Sequence, residues 1–287
     1  MERLTNISVV RELLARRGFT FSKALGQNFL INPSVCPRMA EASVQGDSVG
    51  VIEIGPGIGV LTNELLKLAR KVVAVELDSR LLPVLEETLA EYDNLKVINA
   101  DVMELDLKKL IAEEFGGMDV VVCANLPYYI TSPIIMKLLE DRLPLKSITV
   151  MVQREAALRL TAKPGSRESS AITVAVNYYA DAEMLFPVSS GSFMPAPKVD
   201  SAVLKLTLRE PERLPVDEKV LFRVIKAAFA QRRKTVLNSI SSSLPLDKSV
   251  MSGILKSADV FPSARAESLT LDDFIRIADA CVPALKG

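Results

Sequence analysis

The middle of the chain alternates short apolar runs with segments in which apolar residues recur every three or four positions. Near-continuous apolar runs predict strands that are buried in a parallel sheet, and they cover Val49–Ile54, Lys71–Glu76, Leu95–Asn99, Asp119–Ala124 and Ser147–Val152. The i, i+3, i+4 spacing between them predicts helices over Leu61–Leu68, Ser79–Tyr92 and Pro133–Leu139. Strands that alternate with helices are typical of a doubly wound sheet.

The alternation ends after Val152, where two helical stretches flank a polar loop at Lys163–Ser170. Two further strands, near Ala182–Val188 and Ala202–Leu208, predict an antiparallel hairpin that closes one sheet edge. Together with the five strands before them they make a mostly parallel, seven-stranded sheet. We therefore expect an α/β, Rossmann-like domain over residues 1–208.

The pattern changes again from Glu210, where Pro211 and Pro215 mark a boundary. The remaining residues have helical periodicity, interrupted by Ser and Pro at Ser241–Pro245 and Pro262–Ser263. This predicts a small, all-helical C-terminal domain over residues 209–287.

The amino-acid composition excludes several kinds of catalytic and metal site. It has no histidine, which excludes a Ser-His-Asp triad and the usual histidine-bearing metal sites. The three cysteines, Cys36, Cys123 and Cys281, are too far apart in sequence for a zinc knuckle and favour free thiols in a reducing compartment. No apolar run reaches the roughly 18 residues of a membrane span, and Met1–Arg17 lacks the apolar core of a secretory signal. We expect a cytoplasmic protein without a metal site.

The zero net charge of the chain conceals an uneven distribution. Residues 1–40 carry a net charge of +4 and residues 209–287 a net charge of +3, whereas residues 41–208 carry −7. Basic ends and an acidic centre suit a protein whose periphery touches a polyanion and whose centre holds a cationic ligand. Solvated surface charge produces the same asymmetry, so this pattern alone does not decide the function.

A glycine-rich turn, Glu53–Gly59, joins the first predicted strand to the next helix. Glycine here lets a ligand approach the backbone closely. A dinucleotide enzyme uses the spacing G-x-G-x-x-G to hold a pyrophosphate, but this turn has G-x-G-x-G, and Pro56 removes an amide donor. Glu53 would repel a diphosphate and suits a ligand that carries ammonium and sulfonium charges. The turn favours S-adenosylmethionine, with NAD as the alternative.

Acidic residues end the next two predicted strands. Glu76 lies 21 residues after Gly55, where a carboxylate can accept both ribose hydroxyls of a nucleoside. Asp101 follows the third strand, where it can bind an adenine amine; its alternative role is to cap a helix over Val102–Leu107. Acids in register after successive strands favour a site for a nucleoside-type ligand.

The tetrapeptide Asn125–Tyr128 follows the fourth strand, at the sheet edge that carries active sites in this class of fold. The exocyclic amine of a purine is a poor nucleophile, and two acceptors, the Asn125 side chain and the Leu126 carbonyl, can expose its lone pair. Pro127 stiffens the turn, and Tyr128 offers a flat face to a base taken out of its helix. The alternative is a simple turn with Asn125 as a cap and Tyr128 in the core.

In these residues the chain resembles the ribosomal RNA adenine N6,N6-dimethyltransferase family, bacterial enzymes that dimethylate two adjacent adenines near the 3′ end of small-subunit (16S) rRNA. The matching segments run in order over nearly the whole chain: Leu25–Leu30, Glu53–Gly57, Val75–Asp78, Ala100–Val102, Asn125–Tyr128, Val152–Glu155, Phe193–Ser201 and Phe229–Lys234. The resemblance implies the class I methyltransferase fold, S-adenosylmethionine as cofactor, the small ribosomal subunit as partner, and a role in subunit biogenesis. We expect a monomer that does not bind membranes.

The resemblance also implies roles for particular residues. The expected cofactor contacts lie in several of the segments and comprise Gln27, Asn28, Leu30, Glu53, Gly55, Gly57, Glu76, Leu77, Asp101, Val102 and Asn125. The segment before the first strand is implied to lie over the cofactor. Phe193 is implied to stack on the target adenine opposite Tyr128, with a buried hairpin aromatic as the alternative.

Basic residues supply the expected RNA contacts. Gln231–Lys234 continues a predicted helix whose apolar face holds Phe222, Ile225, Ala228 and Phe229, so Arg232, Arg233 and Lys234 are expected on that helix. We add Arg154 to this set; a solvated charged face is the alternative for the cluster. One departure is Arg167–Ser170, where the family usually has Tyr-Gly, which leaves the conformation of that loop open.

Three rival functions remain open. A resistance-type methyltransferase of large-subunit rRNA shares the glycine turn but more often has Ile in place of Leu126, and a DNA adenine methyltransferase more usually has Asn-Pro-Pro-Tyr. A non-catalytic ribosome assembly factor could keep the fold as a relic, although Glu76, Asp101 and Asn125 are all intact.

Overall fold

The computed structural model describes residues 2–19, 22, 26–209 and 216–286. The strands are β1 Phe29–Leu30, β2 Val49–Ile54, β3 Lys71–Glu76, β4 Leu95–Asn99, β5 Asp119–Asn125, β6 Leu145–Gln153, β7 Ala180–Val188, β8 Phe193–Met194 and β9 Ser201–Leu208. The helices are α1 Ile7–Arg16, α2 Val35–Ser43, α3 Val60–Leu68, α4 Leu82–Thr88, α5 Leu107–Glu114, α6 Thr131–Glu140, α7 Arg154–Thr161, α8 Ala171–Tyr179, α9 Glu218–Phe229, α10 Val236–Ser243, α11 Lys248–Ser257 and α12 Leu271–Lys286. Leu25 and the expected boundary residues Glu210, Pro211 and Pro215 lie outside the described residues.

Seven strands form one mixed sheet in the order β4-β3-β2-β5-β6-β9-β7. The pairs β3–β4, β2–β3, β2–β5 and β5–β6 are parallel, and β9 is antiparallel to β6. The chain winds outward from β2 through β3 to β4 and then returns to the other side of β2 with β5. The expected seven-stranded, mostly parallel sheet is confirmed, with the predicted hairpin strands β7 and β9 at one edge.

The central strand β2 shows why apolar runs become strands here. All six of its residues are buried, as expected for a parallel strand that is covered by helices on both faces. Gly50 has a steric reason to lack a side chain, because an added Cβ would lie 2.2 Å from Cδ1 of the fully buried Phe115. The close approach of this ring to the strand backbone therefore depends on glycine.

The chain divides into two compact units, Met1–Ala157 with Ala182–Leu208, and Leu158–Asp181 with Arg209–Gly287. The second unit contains 158–181 as well as the residues from Arg209 onward, whereas the expected domains keep 158–181 with residues 1–208. Aromatic packing explains that placement: the rings of Tyr179 and Phe222 stack with centroids 5.5 Å apart, and Tyr178 meets both rings edge-on. These contacts join α8 to α9 within the second unit.

The loop before α8 is held by its own turns. Ser166 and Ser169 donate backbone hydrogen bonds to Lys163 and Ser166, respectively. Ser170 caps α8 in a capping box with Thr173. The loop segment Arg167–Ser170 therefore ends at an ordinary helix N-cap, that of α8.

The expected position of the basic cluster on a helix is wrong. Helix α9 ends at Phe229, and residues 231–234 form a turn before α10. The reason is a side chain of α10. The Ser239 hydroxyl accepts a hydrogen bond from the Gln231 amide (3.2 Å) and donates one to the Ala227 carbonyl (2.7 Å), so it replaces the direct helical hydrogen bond between these two groups. Arg232, Arg233 and Lys234 are exposed on this turn, which we call the basic turn.

Among the described residues, no helix is long and apolar enough to span a bilayer.

Candidate active site

One cavity lies in the first unit where the parallel strands end, beside the point at which the winding reverses between β2 and β5. All of the residues that the sequence assigned to cofactor or base binding line it. They are Gln27, Asn28, Leu30, Glu53, Gly55, Gly57, Glu76, Leu77, Asp101, Val102, Asn125, Leu126, Pro127, Tyr128 and Phe193. Ligands of open α/β sheets bind at this position because the loops after adjacent strands diverge there.

The glycine turn is open toward the cavity. Gly55 and Gly57 have φ of +69° and +61°, which side chains rarely adopt, and an added Cβ at Gly55 would meet no atom within 4 Å. Two of the amides of the turn are already used, because Gly55 donates to the Val75 carbonyl (2.9 Å) and Gly57 donates to Glu76 Oε2 (3.2 Å). With Pro56 lacking an amide hydrogen, the turn is a poor anion site and an open place for a neutral or cationic ligand.

The Glu76 carboxylate is fixed at the end of β3. Its Oε1 accepts the Asp78 amide at 2.8 Å and its Oε2 accepts the Gly57 amide. Burial raises the pKa of Glu76, while these backbone hydrogen bonds oppose the rise. Each oxygen keeps lone-pair capacity for a second donor, as binding of two ribose hydroxyls requires.

Glu53 is the most unusual acid of the cavity. Its side chain is buried, and among the described residues its Oε2 has no hydrogen-bond partner. Burial raises the pKa of Glu53 to about 8; the adjacent Thr62 hydroxyl, which lies outside hydrogen-bond geometry, lowers it less. A buried acceptor without a donor costs free energy unless a ligand supplies one. Glu53 is therefore suited to a cationic or hydrogen-bonding group of a ligand.

Asp101 follows β4 and lines the cavity, although its carboxylate also holds a local turn. Its Oδ1 accepts the Met103 amide at 2.8 Å. The next helix, α5, is capped by Asp106, which accepts the Lys109 amide at 2.9 Å. The helix-capping alternative for Asp101 is therefore wrong, and its second oxygen remains available for a ligand.

The Asn125–Tyr128 segment begins at the end of β5, where Asn125 pairs with Met151 of β6. The Ile130 amide and the Thr131 hydroxyl both donate to the Pro127 carbonyl, which fixes the turn. Within the described part of the chain, neither the Asn125 side chain nor the Leu126 carbonyl takes part in a hydrogen bond. Two acceptors thus face the cavity without protein donors.

Tyr128 is half-buried beside these acceptors. Its hydroxyl lies 2.8 Å from Ser201 Oγ at the start of β9. Burial raises the pKa of Tyr128, so the phenol is neutral at physiological pH. The hydrogen bond fixes the ring and leaves its face for packing.

The N-terminal segment lines the cavity next to a short β-ladder that is separate from the main sheet. Strand β1 pairs antiparallel with β8, and Leu30 faces Phe193 in the register. Phe193 is buried, as in the hairpin-aromatic alternative, and it also lines the cavity. Gln27 donates to Asp78 Oδ2 at 2.8 Å, which ties the segment to the loop after β3.

Sequence reasoning did not assign Asp78, Tyr129, Cys36 or Met39, although Asp78 lies within a matching segment. Tyr129, Cys36 and Met39 line the cavity, and Asp78 anchors Gln27. The Arg80 guanidinium holds the pKa of Asp78 below its usual value, so this anchor stays ionised. Buried apolar lining residues carry no local signal that separates them from core residues.

The expected RNA contacts are not part of this cavity. Arg154 and the three cations of the basic turn are exposed and absent from its lining.

Comparison with known proteins places the chain among RNA-modifying enzymes. The family model described as ribosomal RNA adenine dimethylase matches residues 18–281. The ribosomal RNA small subunit methyltransferase A of Shouchella clausii (strain KSM-K16) is 49% identical over 278 residues, which cover 96% of this chain and 94% of the relative. The protein of the same name from Geobacillus thermodenitrificans (strain NG80-2) is 48% identical over 281 residues, 96% of each chain.

Two solved structures resemble the whole chain. A dimethyladenosine transferase from Plasmodium falciparum has a TM-score of 0.73 at 29% identity and covers 89% of this chain and 98% of its own. The 23S rRNA methyltransferase ErmE has a TM-score of 0.66 at 27% identity, with coverage of 91% and 100%. The expected class of fold is thereby confirmed.

Proposed function

The chain belongs to the ribosomal RNA adenine dimethylase family, and we propose that it transfers two methyl groups from S-adenosylmethionine to the N6 amine of each of two adjacent adenines near the 3′ end of small-subunit rRNA. The single observation that carries this proposal is the pair of unpartnered acceptors, Asn125 and the Leu126 carbonyl, in the same cavity as three acids. The large-subunit alternative is weaker, because the relatives named for the small subunit are 45–49% identical and ErmE is 27% identical.

The residues of the cavity fit S-adenosylmethionine by charge and by space. Glu53 offers a buried oxygen without a donor for the ammonium group, and Glu76 offers two fixed oxygens for the ribose hydroxyls. Asp101 can accept the adenine amine, and the open space at Gly55 admits a ligand close to the backbone. When bound, the cofactor supplies an electrophilic methyl group on a sulfonium.

Asn125 and Leu126 prepare the amine of the substrate. In the first transfer each acceptor would take one N–H of the adenine amine, which turns the nitrogen lone pair out of conjugation with the ring; in the second transfer the monomethylated amine keeps one N–H for either acceptor. The lone pair would then be exposed for methylation; transfer of the methyl group from the cofactor, held by Glu53, Glu76 and Asp101, would leave a neutral thioether. The N-methylated product loses its extra proton readily to water, so the chemistry needs no strong base, in agreement with a chain that has no histidine.

Tyr128 and Phe193 hold the base between them. Tyr128 is fixed by Ser201, and Phe193 is fixed by the β1–β8 ladder, so both rings keep their positions before the base arrives. A flipped base is commonly held by stacking between aromatic side chains. The sandwich accounts for the orientation of the amine toward Asn125.

The exposed cations serve the rest of the RNA. Arg154 and the basic turn supply charge that can bind phosphates without reading sequence. We assign a role in subunit biogenesis to the same surface, because an enzyme that recognises one conformation of the subunit also marks its maturation. We propose a cytoplasmic monomer, and sedimentation of the free protein tests its oligomeric state.

The test is methyl transfer from labelled S-adenosylmethionine to undermethylated small subunits, with large subunits and duplex DNA in parallel. We expect N6,N6-dimethyladenosine from the small subunit alone. Label on the large subunit would move the chain to the resistance-type enzymes. Cofactor binding without transfer to any of the three would favour an assembly factor. The Asn125→Ala variant serves as the inactive control.

A further inference from the structure

The second unit exposes one aromatic ring almost completely. Phe261 follows α11, and 81% of its surface is accessible. Within the described residues it stacks on no other ring. A single exposed apolar side chain is common in soluble proteins and alone indicates nothing, so its setting decides what it can do.

The backbone holds Phe261 in a fixed turn. The Ala264 amide donates to the Phe261 carbonyl at 2.9 Å, and Pro262 fixes φ at the second position of this turn. Val260, immediately before it, is buried and donates to the Leu255 carbonyl at 2.8 Å. The ring is therefore presented by an ordered backbone, which reduces the entropy lost when a ligand stacks on it.

The basic turn is linked to the Phe261 turn through the start of α10. The Val236 amide donates to the Ala264 carbonyl at 2.7 Å, which joins the Phe261 turn to the residue that starts α10. Lys234, the last residue of the basic turn, is two positions before Val236, so its backbone lies within about 20 Å of that of Phe261. None of the three cations of the basic turn is paired with a carboxylate of the described residues.

Arg265, four residues after Phe261, adds a further cation. It is 60% exposed, and its guanidinium is 4.0 Å from Glu267, at the limit of an ion pair. Asp259 is the nearest carboxylate along the turn itself and lies two residues before Phe261. The residues named near the Phe261 turn thus carry more positive than negative charge, and proteins that bind single-stranded nucleic acid combine such charge with an exposed aromatic ring.

We propose that Phe261 is a stacking platform for an unpaired RNA base, outside the methylation cavity, with the basic turn binding the adjacent phosphates. The choice of RNA as the ligand rests on the proposed function, in which ribosomal RNA is the substrate. Every base has a flat face, so the contact adds affinity and does not read sequence. The site would hold the RNA at a point distant in sequence from the residues that bind the reacting adenine.

The absence of tryptophan from the chain allows a direct test. Phe261→Trp introduces a single indole, whose fluorescence a stacked base quenches. The matched control is Val250→Trp, because Val250 is also exposed (46%) and lies on α11 of the same unit. We expect undermethylated small subunits to quench the indole at position 261 and to leave the one at position 250 largely unchanged.

Steady-state methylation gives the energetic test. Phe261→Ala should raise KM for small subunits between about fivefold and 150-fold, the range for loss of one base–aromatic stack. The kcat at saturating subunits should stay within about twofold of the original, and Phe261→Trp should restore KM. Because the side chain is exposed, the Ala variant does not disturb the core. An unchanged KM for Phe261→Ala overturns the proposal.

Cross-linking separates RNA from protein as the occupant. A benzophenone amino acid at position 261 should form an adduct with ribosomal RNA after irradiation with small subunits. An adduct with a ribosomal protein only, or no adduct, overturns the proposal. The wild-type enzyme is assayed for methyl transfer to the same small subunits. Methyl transfer by the wild type without quenching of the Phe261→Trp variant refutes the stacking site alone. Quenching of the variant without methyl transfer by the wild type refutes the proposed function alone.

Discussion

Binding of S-adenosylmethionine should release a proton, and the source should be Glu53. The buried carboxyl has a pKa of about 8, and among the described residues its Oε2 has no donor. At neutral pH the cofactor-free protein therefore holds Glu53 mainly in the protonated form. An ammonium group placed against it favours the carboxylate and lowers the pKa again.

The magnitude follows from that pKa. At pH 7 about 90% of the protein carries the proton on Glu53, and at pH 6 about 99% does. If only the ionised form binds the ammonium well, the apparent Kd is the intrinsic Kd divided by the ionised fraction. We expect release of about 0.9 proton for each cofactor bound at pH 7, and an affinity about tenfold weaker at pH 6 than at pH 7.

The assay is calorimetric titration in several buffers of different ionisation enthalpy, between pH 6 and 7. In this range the α-amino group of the ligand, with a pKa of about 7.7–8.0, stays mainly protonated, so the protein supplies the proton. Glu53→Gln should bind with no proton release and no change in affinity over the range. Glu64→Gln is the matched control, since Glu64 is ion-paired with Lys67 and should leave the release unchanged.

Two results would refute the reasoning. Binding without proton release by the unmodified protein would mean that Glu53 is ionised before the cofactor arrives, or stays protonated in the complex. Equal release from the Glu53→Gln variant would mean that another group supplies the proton.

Three other predictions test separate parts of the structure. Asn125→Ala should lower kcat by about 10²–10³-fold and change the Kd for the cofactor less than about threefold; equal losses would contradict its role in holding the amine. Gly50→Ala should cost roughly 1–3 kcal/mol of stability by overpacking, whereas Gly253→Ala, which meets no atom within 4 Å, should be neutral or add up to about 1 kcal/mol, as measured by denaturant midpoints. Arg232→Ala with Arg233→Ala should reduce the slope of log affinity for small subunits against log salt by about one for each phosphate that the variant no longer binds; an unchanged slope would remove the basic turn from the RNA interface.

The sheet was predictable from sequence because buried parallel strands leave a local signature. The bounds of β2, β3 and β4 coincide with the apolar runs. The observed helix α4 is shorter than the helix predicted from Ser79 to Tyr92, because α4 ends at Thr88. Leu89 is buried as the C-cap of α4, where its amide donates the last helical hydrogen bond to the Leu85 carbonyl, and the apolar spacing continues past this point.

The cavity was predictable for a similar reason, because the ends of parallel strands meet at one edge and bring Glu53, Glu76 and Asp101 together. The sequence could not reveal what depends on distant partners. The end of α9 is set by the Ser239 hydroxyl, ten residues after Phe229 along the chain. The grouping of α8 with the C-terminal helices depends on ring stacking between Tyr179 and Phe222, which spacing alone does not encode.

The short β1–β8 ladder has a consequence for the order of events at the active site. Both of its strands line the cavity, β1 through Leu30 and β8 through Phe193, and in the proposed function Leu30 contacts the cofactor and Phe193 the base. A ligand that restrains one of the two strands also restrains its partner, so a second ligand that contacts the partner strand loses less conformational entropy on binding. Binding of the cofactor and binding of the base are then thermodynamically linked. The linkage is reciprocal: the factor by which cofactor improves the affinity for the base equals the factor by which the base improves the affinity for cofactor. Four residues of backbone pairing would thereby let the enzyme retain its cofactor most firmly when an adenine is in place.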